Sequence, residues 1–168
     1  MKQVLLTIDG MTPDQKAFHY AIALCKRIRA ELSIFQIIRP RYYRKYLEKV
    51  RKNTFLARTF IKSSMVAATF AEAGEHETAL EIMDEASKEM KRLMSESEKS
   101  GVHCHFSMKS GNPEKEIIDY VNKNRNVVLT IYDAANRGSD KNVNVSEKEH
   151  VLGKIKKNLS IPLVTIHN

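Results

Sequence analysis

The chain has 168 residues, enough for one domain with a full hydrophobic core. Apolar residues make up 42% and charged residues 29%, an ordinary soluble globular profile, and no apolar run approaches the ~20 residues of a membrane span. The formal net charge of +8 suits nucleic acid, acidic lipid or an acidic partner and does not choose among them.

"QVLLTI" (3–8) is a compact apolar run ending in Asp9-Gly10, the pattern of a buried strand with a turn after it. Its opening "MKQVLLTIDG" turns polar too soon for a signal peptide, so the expected location is cytoplasmic. Thr12, Pro13 and Gln15 read as N-cap, N1 and N3 of a helix. Ala17, Ala21, Leu24, Cys25 and Ile28 repeat at helical spacing and are expected to face the sheet. "LSIFQII" (32–38) is a second strand, stopped before Pro40. The stretch 39–62 differs in composition, with nine Lys or Arg against one acid, Glu48. It predicts a basic helical insertion over about 39–75. "HETALEIMDEASKEMKRLMSESEKSG" (76–101) is a long helix with a stripe of Ala79, Met83, Ala86, Met90 and Leu93, capped by Gly101. "VHCHFSM" (102–108) is a third strand. Asn112 and Pro113 then cap and open a helix that buries Ile117, Ile118 and Val121. "VVLTI" (127–131) is a fourth strand. Ser146 with Glu149 reads as a capping box for a last helix, and "IPLVTIH" (161–167) is the closing strand.

Strands and helices alternate from end to end. One α/β domain follows, with a Rossmann-like, five-stranded, mainly parallel sheet and helices on both faces. Ligands of such sheets bind outside the carboxyl ends of the strands, at the switch point.

Three stretches together resemble the universal stress protein (UspA-like) family: "QVLLTIDG" its first strand with a terminal aspartate, "SGNPEKEIIDYV" its glycine-x-proline lead into a helix, and "IPLVTIHN" its closing strand. The resemblance implies a homodimer pairing through the last strands and a role in stress resistance or regulation, without an assigned reaction. It also implies an ATP site in those members that carry G-x2-G-x9-G-[S/T] after the fourth strand, where glycines let backbone N–H groups approach phosphates. This sequence departs from that loop. The first motif glycine falls near Tyr132 or Asp133, and the last glycine and hydroxyl near Glu149 and His150. The expectation is therefore an altered or absent ATP site. Its tentative nucleotide or anion cleft is Asp9, Ile38, Asn136, Arg137, Gly138, Ser139 and Ser146.

The remaining candidates divide between chemistry and packing. His103 and His105 lie two apart on a strand and share one face, but two histidines are an incomplete zinc site, so no metal is expected. Cys25 and Cys104 have no CxxC spacing and read as reduced thiols, Cys25 as a small buried hydrophobe. The basic 39–62 segment reads as an amphipathic helix packed on the domain or on a second copy. The alternative is docking on an acidic protein or a membrane surface, with nucleic acid last because no nucleic-acid motif accompanies the charge. No G-x-S-x-G, P-loop or H-E-x2-H pattern is present, so no enzyme activity is expected.

Overall fold

The structure is a computed structural model that describes residues 1–10, 14–39, 76–133 and 145–166, with backbone alone at 76–87 and 145–148. Strands and helices alternate along the described residues as β1 (Gln3–Asp9), α1 (Gln15–Ile28), β2 (Glu31–Ile38), α2 (His76–Lys99), β3 (Cys104–Ser110), α3 (Pro113–Lys123), β4 (Val127–Asp133), α4 (Val145–Asn158) and β5 (Leu163–Ile166). The strands form one sheet in the order β3-β2-β1-β4-β5, and every pairing is parallel. The basic insertion expected over 39–75 lies outside the described residues except for Arg39.

A parallel sheet covered on both faces needs strands apolar on both faces, and β1 and β2 meet that need. Alternate residues go to opposite sides. Val4, Leu6, Ile8 and Ile34 join Phe18 of α1 and Met90 and Leu93 of α2 in one core. Leu5, Phe35 and Ile37 join Ile117 and Val121 of α3 and Ile155 of α4 in the other. The strand order reverses between β1 and β4, so the switch point opens beside Asp9.

Several boundaries differ from expectation; β4 runs on to Asp133 and β5 is shorter, at Leu163–Ile166. The N-cap of α1 is Asp14, whose Oδ1 accepts from Lys16 N at 2.7 Å; Thr12 and Pro13 lie outside the described residues. Ser146 is the second residue of α4 and sits inside the first turn, where its neighbours already have helical backbone, not ahead of it as a cap. The third strand begins at Cys104 because Val102 is tied back to α2. Its N–H donates to Ser97 O at 3.0 Å, and its carbonyl accepts from Ser97 Oγ at 2.7 Å.

The "GNP" start of α3 follows its expected logic. Asn112 Oδ1 accepts from Glu114 N at 2.9 Å and Pro113 opens the helix. Gly111 leaves room for Glu116: a Cβ there would stand 2.8 Å from its Oε1, so that side chain would have to shift.

Both thiols are buried, and burial pushes Cys25 up to about 12 and Cys104 up to about 11. Neither is the exposed, low-pKa thiolate that a redox sensor needs. Native protein at pH 8 is therefore expected to leave both thiols unreacted with a chromogenic disulfide, and both should react in guanidinium. Because the unfolded chain releases these protons at lower pH than the folded one, stability should hold below about pH 9 and fall as pH rises toward 11. Rapid native labelling at pH 8 would contradict the burial.

Candidate functional site

At the carboxyl end of the sheet the parallel register decides which side chains meet. Asp9 pairs with Ile37, Thr7 with Phe35 on one side and with Tyr132 on the other. Asp9 and Tyr132 thus share a face, and Arg39, two residues beyond Ile37, is carried to the same side. Arg39 clamps Asp9 with both arms: Nε donates to Oδ1 at 3.0 Å and Nη2 donates to Oδ2 at 2.5 Å. The Tyr132 hydroxyl donates to the same Oδ2 at 2.8 Å. Arg39 and Asp9 keep only 10% and 11% of their side-chain surface, so water screens this pair weakly. Burial, with the adjacent Asp9 carboxylate, pushes the Tyr132 phenol well above its ordinary range, so it stays a donor at physiological pH.

The next row belongs to the opposite face. Asp133, the last residue of β4, accepts from Asp14 N at 2.7 Å and so ties β4 to the start of α1. Across the crevice, Gln36 Nε2 donates to Gly10 O at 2.7 Å and fixes the turn after β1. The switch point therefore holds three carboxylates, Asp9, Asp14 and Asp133. The first is held by Arg39 and Tyr132, and the other two by backbone N–H groups.

Of the expected cleft, Asp9 stands at the switch point, though already bonded within the chain. Ile38 has no exposed surface, and its carbonyl accepts from Gly111 N at 3.1 Å. Asn136, Arg137, Gly138 and Ser139 lie outside the described residues. Ser146 belongs to α4 by its backbone. Sequence reasoning missed Arg39, Tyr132 and Asp133. In sequence Arg39 belongs to the basic segment that follows it, and Tyr132 and Asp133 open a polar loop. The signal for all three was position: each lies at the carboxyl end of a core strand, within two residues of the register line through Asp9.

At the other end of the sheet, His103 and His105 are exposed on the edge strand side as expected. They stack edge-to-face with centroids 4.6 Å apart.

No protein-family model and no curated protein matches the sequence. Solved structures do match. A universal stress protein from Lactobacillus plantarum is similar over 99% of this chain and 97% of its own, at 16% identity and a TM-score of 0.63. One from Burkholderia pseudomallei covers 98% and 95%, at 11% identity and a TM-score of 0.56. One from Archaeoglobus fulgidus, in complex with dAMP, covers 99% and 98%, at 9% identity and a TM-score of 0.55. The five-stranded parallel sheet, its strand order and this end-to-end similarity lead to one conclusion about architecture: the chain has the fold of the universal stress proteins.

Proposed function

We propose that the chain is a regulatory or protective binding protein of the universal stress type, homodimeric, without a catalysed reaction of its own and with an altered nucleotide cleft. The observation that carries this reading is the clamp on Asp9. In ATP-binding relatives this aspartate is the expected contact for ribose or an adenine edge. Here its two oxygens take three hydrogen bonds from Arg39 and Tyr132. A nucleoside would have to displace a buried guanidinium, which loses its carboxylate in the process. The sequence beyond β4 adds to the case, because Glu149 stands near the position of a phosphate-loop glycine. An Archaeoglobus fulgidus protein of the same fold is in complex with dAMP, which makes an adenine nucleotide the ligand class to test. A homodimer agrees with β5, an edge strand whose Leu163, Val164 and Ile166 are all half-buried.

Purified protein is expected to carry no nucleotide on acid extraction. Titration calorimetry with ATP or AMP should give no heat of binding at millimolar ligand. Stoichiometric co-purified nucleotide, or submillimolar binding, would overturn the altered-cleft reading while leaving the fold untouched.

A further inference from the structure

The amino end of the sheet carries a second cluster that the cleft does not use. Register places Glu31 beside Gln3 of β1, and Leu32 opposite Cys104 of β3. Glu31 therefore stands beside His103, on the face opposite Leu32 and Cys104. One pair further along, Ser33 opposes His105 on that same face. The result is a group of three: a carboxylate oxygen of Glu31 and one ring nitrogen each of His103 and His105, all within 4.8 Å of one another. The histidines that looked incomplete on one strand gain their third member from the neighbouring strand, more than seventy positions earlier in the chain and in no obvious motif.

We infer that Glu31, His103 and His105 form a zinc-binding site that joins β3 to β2. His105 Nε2 lies 3.5 Å from Glu31 Oε2. Zinc bonds of about 2.0–2.2 Å at tetrahedral angles put two ligand atoms about 3.3–3.5 Å apart, so this pair already has the needed spacing. The other separations are at most 4.8 Å and belong to exposed imidazoles, whose side-chain torsions are not held by the core. Glu31 is steered by Gln3, whose Nε2 donates to Oε2 at 3.4 Å. Outer partners of this kind orient metal ligands. Two imidazoles and one carboxylate suit zinc and fall short of the six or more oxygens that calcium takes. Three protein ligands leave the fourth position to water. Cys104 is no competitor, since its side chain lies in the opposite core. The site is also remote from β5, at the other edge of the sheet, so it does not depend on dimer pairing or on the nucleotide cleft.

Calorimetric titration of the full chain with Zn2+ tests this. One zinc per chain is expected, with a rise in melting temperature. Gln3→Ala should weaken binding by roughly 10–100-fold, the cost of an outer partner, and His105→Ala or Glu31→Gln by more than about 100-fold. The control is His19→Ala, which removes an exposed histidine on α1 and should leave affinity unchanged. The variants change half-buried or exposed side chains, and circular dichroism verifies that each folds. No zinc uptake by the wild type overturns the inference. So does uptake that survives in the His103→Ala/His105→Ala double variant.

Discussion

Asp9→Ala is expected to lower the free energy of unfolding by about 3–5 kcal/mol, the usual cost of removing one member of a buried ion pair. For a domain of this size that is a fall of about 6–20 °C in melting temperature. The physical reason is asymmetry. Arg39 is 10% exposed, so without Asp9 the guanidinium loses two charge-assisted bonds in a place where water replaces them poorly. The Tyr132 hydroxyl loses its acceptor at the same time, and that side chain is 1% exposed. Chemical denaturation of Asp9→Ala, Arg39→Ala and the double variant reads this directly. If the charge pair is the cause, the double variant should be less destabilised than the two single losses predict, by at least about 1 kcal/mol. A single loss below about 1 kcal/mol would mean that solvent screens the pair, and the argument against a nucleotide at Asp9 would fail with it.

How far the sequence foretold this depends on which physical signal each feature leaves. The parallel sheet was legible because strands buried on both faces must be mostly apolar on both, as Val4–Ile8 and Leu32–Ile38 are apart from Thr7, Ser33 and Gln36. Local caps were legible where one side chain reaches the nearest backbone, as Asn112 does. The site was less so. Asp9 was visible as the polar end of an apolar strand, but its partners Arg39 and Tyr132 lie 30 and 123 positions away. Only strand order and register bring them together, and neither is written in local pattern. Glu31 shows the same gap. Beside His103 in space it is a ligand candidate; in sequence it is one acid before a strand.

Phe18→Ala is expected to cost about 3–5 kcal/mol, while Leu24→Ala on the same helix should cost only about 1 kcal/mol. Helical spacing alone suggested the reverse ranking, since Ala17, Ala21, Leu24, Cys25 and Ile28 form a regular stripe that leaves Phe18 to one side. In the structure the buried face of α1 is Ala17, Phe18, Ala21, Ile22 and Cys25. At 100° per residue, the inward direction is turned by roughly 50° toward Phe18 and Ile22. The turn follows from size. Small residues at 17, 21 and 25 let the helix approach the sheet closely, and the aromatic ring then fills the space over Val4, Leu6 and Ile8 with no exposed surface. Leu24 and Ile28 flank the core and stay half-buried. Truncating Phe18 leaves a cavity that rigid strands cannot collapse to fill, whereas truncating Leu24 leaves a groove that water can enter. Urea denaturation of the two variants should separate them by at least about 2 kcal/mol at equal m-values. Equal losses would show that α1 presents the stripe suggested by spacing, not the face seen here.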